Sequence, residues 1–450
     1  MNNIISKYLF FFPVRILRGE PVSRCMREVR KVETFTKEEL YSFQQEKLRT
    51  LFKYGDNIPF IKKVLQNNHI DLENDDPVEI LKKFPIADKP SLSKNFKSEY
   101  RNSEIKKHML RSTSGSTGAP FKFYKDRFST AYMDAIMYQV YSWHNIHIGE
   151  RQARFWGMPT DNKKKKEAKL KDFLMNRTRL SAFDLDESSM QDYYNHLLRF
   201  KPGYFYGYPS LIYEFAKFCH STNMSNIDDN LKAIIITGEK ATSSQIEFIE
   251  NVFDTQVFQE YGCTETGVIS FQCPQGNMHV MSPNIILEVI KDGNPVKDEA
   301  GEIVVTELNA VSYPFIRYKI GDIGIDLTKD CNCGIHWPLM EINEGRRDDY
   351  ILTPDGRKVY DAILAYTFGK YENVIMSFKA LQQERTSLEI EIVPGSKFNE
   401  KILDEYEHNL REKLGDEIKI VFNKVSEIKR EKSGKLRYFS STISENSTIS

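Results

Sequence analysis

The run Ala233-Ile234-Ile235-Ile236-Thr237, closed by Gly238, constrains this chain more than any other feature. Four of its five residues are β-branched and none alternates with a charged residue, which is the pattern of a strand buried on both faces and opening onto a loop. A strand covered on both sides needs helices to cover it. Helical spacing follows in Ser243 to Phe253, and a second strand candidate, Gln256 to Gln259, runs into a turn at Gly262. Strand, helix, strand in that order predicts a crossover unit of an α/β sheet, whose ligands bind beyond the C-terminal ends of the strands.

The remaining segments fit around that unit. At 450 residues the chain exceeds one ordinary core, so a large body and a smaller lobe are expected. Residues 1 to about 105 read as a helical preface, with Glu39 three residues after Thr36 marking a capping box. Between Asn284 and Thr306 the pattern turns hairpin-like around Asp292-Gly293, which predicts a β-rich subdomain. After Gly345 come a hairpin at Pro354-Asp355-Gly356, an alternating strand at Ser387 to Ile392, an amphipathic helix from Asn399 to Leu414 and a strand at Glu417 to Phe422. The expected division is a large α/β domain over 1–344, a small mobile α+β lobe over 345–440, and a frayed Ser/Thr-rich tail over 441–450.

Bulk charge excludes some partners. Lys plus Arg and Asp plus Glu are both 63, so no general field draws nucleic acid or anionic lipid to the chain. The run Lys163-Lys164-Lys165-Lys166 reads as a solvated loop. The apolar stretch Tyr8 to Val14 is shorter than the roughly 20 residues of a spanning helix, and no small-residue cleavage site follows it. It reads as a docking segment rather than a membrane-surface foot, in a cytoplasmic protein without a transmembrane segment.

Five segments carry chemistry. Ser112-Thr113-Ser114-Gly115-Ser116-Thr117-Gly118-Ala119-Pro120 offers hydroxyls and unhindered amides to phosphate oxygens, although a Gly/Ser loop alone is often only flexible. No Lys follows Gly118, so it is not a P-loop. Glu260-Tyr261-Gly262-Cys263-Thr264-Glu265 brings a ring able to stack on a base, a hydroxyl for phosphate and a carboxylate for Mg²⁺. Arg317 to Asp322 places an Asp, expected on a turn after a strand, where it could accept ribose hydroxyls. Gly345-Arg346-Arg347-Asp348 and Lys432-Ser433-Gly434-Lys435 are charged clusters of the kind that is usually solvated.

In this order the five segments resemble the motifs of the adenylate-forming superfamily of acyl-CoA synthetases, adenylation domains and luciferases. Phe205-Tyr206-Gly207-Tyr208-Pro209-Ser210 and Gly238-Glu239 bring the chain nearest the phenylacetate-CoA ligase branch, which includes CapK-like relatives associated with capsular polysaccharide. The resemblance spans roughly residues 40 to 440. It implies that Ser114, Gly115, Ser116, Thr117 and Gly118 cover the ATP β- and γ-phosphates, that Gly238 and Glu239 line the adenine site with Tyr261 and Gly262, and that Thr264 touches the α-phosphate. It further implies that Glu265 coordinates Mg²⁺, Asp322 binds ribose, Arg346 supports the nucleotide, and Asp348 is the hinge of the mobile lobe. Lys435 would bridge the acid's carboxylate and the α-phosphate. Phe121 precedes Lys122 where many relatives have a Lys directly after the Pro, so Lys122 receives no phosphate role.

The implied reaction makes an acyl-adenylate from ATP and a small carboxylic acid. The acceptor is then CoA or, as the alternative, an amine or sugar nucleotide. Tyr141, Trp143, Trp156, Tyr206 and Tyr208 read either as an acyl pocket or as core. A homodimer is the expectation from oligomer statistics.

Cysteine spacing adds one more feature. Cys273 and His279, with Cys331 and Cys333, make a Cys₃His set for a closed structural zinc, as some members of the resembled branch also carry; the bland alternative is three buried thiols and an unrelated His. Cys263 reads as a packing residue rather than a nucleophile.

Overall fold

The computed structural model describes residues 1–95, 101–102, 104–105, 108–112, 121–157, 162–181, 186–224, 227, 230–346, 350–368, 371, 374–429 and 437–443. A short antiparallel hairpin of β1 (His108–Ser112) and β2 (Lys122–Asp126) comes first, and its last pair is Ser112 with Lys122. The Ser/Gly segment that joins these two strands in sequence lies outside the described residues.

The body is built on one mixed sheet. Its strands are β3 (Gln152–Trp156), β4 (Arg177–Ser181), β5 (Tyr204–Gly207), β6 (Ala233–Thr237), β7 (Val257–Cys263), β8 (Gly267–Gln272), β9 (Met278–Val280), β10 (Ile285–Lys291), β11 (Asn294–Pro295), β12 (Ala300–Glu307), β13 (Tyr318–Leu327) and β14 (Leu339–Arg346). They lie in the order β11-β10-β12-β13-β14-β9-β8-β7-β6-β5-β3-β4. Strands β4, β3, β5, β6 and β7 are parallel, and from β7 onward every pairing is antiparallel.

The run Ala233–Thr237 is β6, and all five of its residues are buried. Ile234 and Ile236 pack with Leu211 and Phe215 of the helix Pro209–Ser221 and with Ile249 of Ser243–Phe253, while Ile235 packs with Tyr132 and Ala135 of Arg127–Ser142. Burying a Leu, Ile or Phe side chain contributes about 1.5–3 kcal/mol each, so alternate residues of one strand hold two helical layers. Thr242 and Gln245 form a capping box that starts Ser243–Phe253. Thr36 and Glu39 do the same for Lys37–Lys53.

The C-terminal part has its own core. Strands β15 (Tyr350–Leu352) and β16 (Lys358–Tyr360) form the expected hairpin. Then β17 (Ile375–Glu384), β18 (Ser387–Pro394), β19 (Lys419–Lys424) and β20 (Phe439–Ser441) form a sheet in the order β19-β18-β17-β20, covered by the helix Lys401–Leu414 through Tyr406, Leu410 and Leu414.

The β-rich segment shares the sheet of the body, because β9 hydrogen-bonds to β14 and joins it to the parallel strands. Three expectations are corrected. Asp292 and Gly293, both at positive φ, do form a two-residue turn, but it pairs β10 with the short β11, while β12 pairs with β10 in longer register. The four lysines begin the helix Asn162–Leu174 rather than a loop, since Lys is a good helix former and Ala168, Leu170 and Leu174 continue the turns. The tail is not wholly frayed: Ser441 pairs with Gln382 and the Thr442 amide donates to the Gln382 carbonyl at 3.0 Å, while 444–450 lie outside the described residues.

Candidate functional site

The C-terminal ends of β6 and β7 and the start of β13 converge. Gly262 sits at a register shift in the β7–β8 pair, and a Cβ there would stand 2.3 Å from the Gly267 carbonyl oxygen. Only glycine allows that turn, which leaves Thr264 exposed at its tip. Tyr261, just before it, donates its phenol hydrogen to Asp322 Oδ2 at 2.7 Å. Asp322 lies within β13, not on a turn as expected. Gly321 at φ +98° and a register shift between Asp322 and Ile323 loosen the pairing there, so the carboxylate behaves like a turn residue within a strand. Arg346 is the register partner of Asp322 on β14.

Glu265 is buried at 3% exposure, accepts from Tyr318 Oη at 3.0 Å, and has Lys89 Nζ at 3.2 Å. Lys89 reaches it because the chain before it is pinned to β13: the Ala87 amide donates to the Arg317 carbonyl at 3.0 Å and the Lys319 amide to the Ala87 carbonyl at 2.8 Å. Arg317, left-handed at φ +44°, secures that junction through Glu288 at 2.9 and 3.1 Å and the Phe84 carbonyl at 3.0 Å. Neither Lys89 nor Tyr318 was singled out beforehand. No spacing in the sequence connects residue 89 to residue 265.

At the end of β6, Gly238 is exposed at φ +80°, and Glu239 accepts from the Ser210 amide at 3.3 Å at the start of Pro209–Ser221. Cys263 lies 3.2 Å from Thr266 Oγ1, and burial, with the neighbouring Glu265 charge, pushes its thiol up to about 12. It is a packing residue. Ser114, Gly115, Ser116, Thr117 and Gly118, the expected hinge Asp348, and Lys435 lie outside the described residues, as does the Arg346 side chain.

Beside Tyr261 and Asp322 lies an aromatic face. Tyr141 and Tyr206 donate to the two oxygens of Glu260 at 2.8 and 2.9 Å, and burial raises the pKa of that carboxyl. Trp156 stacks on Tyr208 with centroids 4.2 Å apart. Arg154, in register with Tyr206, lies 4.6 Å from the Trp156 ring and 5.1 Å from the Tyr206 ring, and its buried Nε has no hydrogen-bond partner among the described residues. Burial lowers its pKa. Tyr141 and Tyr208 are core; Trp156 and Tyr206 are partly open. Trp143 is elsewhere, against Trp337 and His279.

There the Cys/His set assembles. The ligand atoms of Cys273, His279, Cys331 and Cys333 all lie within 4.8 Å of one another, with Cys273 Sγ to Cys331 Sγ at 3.7 Å and Cys333 Sγ to His279 Nε2 at 3.2 Å. A tetrahedron with metal–sulfur bonds of about 2.3 Å has an S–S edge of about 3.8 Å. His279 Nδ1 faces the Trp337 carbonyl at 2.9 Å, which leaves Nε2 as the lone-pair nitrogen. Burial opposes ionisation of the Cys331 thiol, yet hydrogen bonds from Cys333, Asn277 and Cys273 bring its pKa below the ordinary value. The donor set fits a structural zinc.

Residues 174–311 match the family model of AMP-binding enzymes, and residues 351–442 match the CapK C-terminal domain. The chain belongs to the adenylate-forming enzymes. This adenylate-forming ligase is 21% identical over 411 residues to Protein CapK of Staphylococcus aureus, covering 89% of each. Its fold is that of 2-hydroxyisobutyryl-CoA ligase in the postadenylation state, with 18% identity, 91% of each chain covered and a TM-score of 0.72. Against the same ligase with 2-HIB-AMP and CoA in the thioesterification state the TM-score is 0.57, at 19% identity and 91% of each chain. No described helix is long and apolar enough to cross a membrane.

Proposed function

We propose that this ligase converts a small carboxylic acid and ATP into acyl-AMP and pyrophosphate with Mg²⁺, and then transfers the acyl group to CoA. The observation that carries this reading is the Tyr261–Asp322 hydrogen bond set beside buried Glu265 at the open end of the parallel strands. Asp322 accepts from ribose, its orientation fixed by Tyr261. Gly238, Glu239 and Gly262 border the adenine, Thr264 meets the α-phosphate, and Ser114 to Gly118 cover the outer phosphates, with Arg346 supporting the nucleotide. Glu265 supplies the hard oxygen that Mg²⁺ prefers, and Mg²⁺ when bound supplies neutralisation of phosphate charge. Lys435 brings a cation to the attacking carboxylate and α-phosphate, so it matters more to rate than to binding.

Lys435 lies beyond Asp348, in the lobe. Rotation about that hinge would withdraw it after adenylation, and the lower TM-score against the neighbour's thioesterification state is in keeping with such a rotation. On the acid side, Trp156 and Tyr206 offer an apolar wall, and Arg154, whose Nε has no hydrogen-bond partner among the described residues, offers a cation to an acid carrying a second anionic group. Zinc held by Cys273, His279, Cys331 and Cys333 would clip the β8–β9 turn to the loop before β14, with no ligand position open to substrate. ATP and CoA as reactants fit a cytoplasmic location.

A second reading shares the adenylation half and delivers the acyl group to an amine or sugar without CoA. It is favoured by the length of the match to Protein CapK, 89% of each chain. Acid-dependent ATP–pyrophosphate exchange over aryl, fatty, hydroxy, amino and dicarboxylic acids tests the shared half, with Lys435→Ala as the control. Acyl-CoA formation by an active acid supports the first acceptor. AMP release that never requires CoA and leaves no thioester supports the second. Silence across the panel in a protein that also fails to bind AMP would refute both.

A further inference from the structure

The chain opens with one docked helical stretch: Asn3–Ile5, a π-helical turn Ser6–Phe11, and Phe12–Leu17. Its inner side is fixed. Ser6 and Phe11 are buried, the Phe11 ring meets Tyr138 at 5.1 Å, and Gly149 comes so close that a Cβ there would stand 2.3 Å from the Asn3 carbonyl oxygen. The outer side is apolar and open: Ile4 is 67% exposed, Leu9 66%, Ile16 73% and Leu17 86%, with Ile5 and Tyr8 among them.

The neighbouring helix Asn162–Leu174 extends the surface. Its Phe173 ring meets Phe10 at 6.5 Å, yet Phe173 and Leu170 remain 62% and 61% exposed. These two helices carry eight of the fourteen large hydrophobic residues exposed in the described chain. Scattered singly such residues mean nothing; gathered on two touching helices they mark a contact surface.

Charge selects the contact. No acidic residue occurs before Glu20, and Lys163 to Lys166, Lys169 and Lys171 all belong to the second helix. Its two acids are Glu167 and Asp172, and Asp172 is buried against Arg177 and Arg179. In a chain of zero net charge this is a local cationic excess around an apolar face. A two-fold dimer through this face would bring the two lysine-rich helices together, which like charge opposes. The stretch is too short to span a bilayer, and its apolar row flanked by lysines suits the plane of an anionic membrane surface.

We propose that the outer face of Asn3–Leu17, together with Asn162–Leu174, is a membrane foot that seats the enzyme on an anionic bilayer. The foot is a built part of the body, docked by Phe11 and Gly149. Arg18 at its rim reaches Met109 Sδ at 3.2 Å, beside exposed Leu110, so the surface extends to β1.

The test is co-sedimentation of the full chain with phosphatidylcholine vesicles and with phosphatidylcholine–phosphatidylglycerol vesicles. Binding is expected only to the anionic set, with partitioning that falls as salt rises. Lys166→Gln with Lys169→Gln should weaken it roughly 25-fold, about fivefold per lysine. Leu9→Glu with Leu17→Glu should abolish it while far-UV circular dichroism and AMP affinity stay at wild-type values. Equal binding to both vesicle types, no binding to either, or unchanged binding by the Leu9/Leu17 variant would each overturn the proposal. So would a wild-type dimer in solution that the same variant converts to monomer, since the face would then be occupied by a second copy. AMP affinity is measured on the same samples, so failure of the foot is separable from failure of the nucleotide site.

Discussion

Replacing Tyr261 with Phe isolates the contact on which the nucleotide assignment stands. The change removes one hydroxyl and keeps the ring. The lost bond is a 2.7 Å donation to a carboxylate, and bonds to charged groups are worth about 1.5–3 kcal/mol. Asp322 is only half-buried, so water can replace the phenol in the variant, and the lower end of the range, about 1.5 kcal/mol, applies. That weakens AMP binding roughly 12-fold. Calorimetric titration with AMP and with 3′-deoxy-AMP, on wild type and Tyr261→Phe, separates orientation from stacking. If Tyr261 acts by aiming Asp322 at ribose, removing the ribose hydroxyl costs the variant much less than it costs wild type, because both changes break one chain of contacts. Penalties that simply multiply would refute the argument and leave Tyr261 as a base-stacking residue alone.

Three further outcomes follow from the geometry. The purified protein should hold one zinc per chain by elemental analysis, and Cys331→Ser or chelation should release it and lower the melting temperature while AMP affinity changes by less than about threefold, since the set stands apart from the nucleotide residues. The fully buried Lys125–Glu307 ion pair ties β2 to β12, so Glu307→Gln should cost about 3–5 kcal/mol and the double change Lys125→Met with Glu307→Leu far less. Burial, opposed by Lys125, raises the Glu307 carboxyl from 4.5 to about 7. Its stability contribution is thus present below 4.5 and lost as pH rises through 7, a slope that Glu307→Gln should lack in urea titrations at several pH values. Arg154→Met should raise the melting temperature of the ligand-free protein by removing a buried Nε–H that has no hydrogen-bond partner among the described residues, and should reduce activation of dicarboxylic acids relative to monocarboxylic ones; a lower melting temperature would make Arg154 structural.

Legibility in the sequence followed the range of the interactions. β6 and the helix Ser243–Phe253 have the bounds that local pattern predicts, because β-branched residues, a capping box and a glycine stop all act within a few residues. Thr36–Glu39 capping was legible for the same reason. The Cys/His set was legible as residue types at short spacings, but its closure depends on β9 pairing with β14, between segments some sixty residues apart. Lys89 was illegible, since it reaches Glu265 only through the bridge from Ala87 to Tyr318. Arg154 was illegible because its meaning lies in what is missing around its Nε, and a sequence does not display an unmade bond. The open outer face of the first helical stretch was not legible for a related reason. Its apolar residues read as packing, and Phe11 does pack, but periodicity does not say that the opposite side stays uncovered.

The position of the site follows from what β7 has to do. On one edge β7 is parallel to β6 and on the other antiparallel to β8, so the direction of the sheet changes at this strand. Parallel strands end at a common edge with their helices lying above and below, which leaves an open crevice there. Antiparallel neighbours instead turn back tightly, and the β7–β8 turn lifts Thr264 and Glu265 over that crevice. β7 and the turn that follows it thereby carry Glu260 toward the aromatic face, Tyr261 toward Asp322, and Glu265 toward Lys89. The close approach of Gly262 to Gly267 is what lets these three side chains diverge within six residues. Any larger residue at 262 would open that turn and separate Glu265 from the Tyr261–Asp322 pair. Gly262→Ala should therefore damage nucleotide binding more than Tyr261→Phe does, although it removes no polar group.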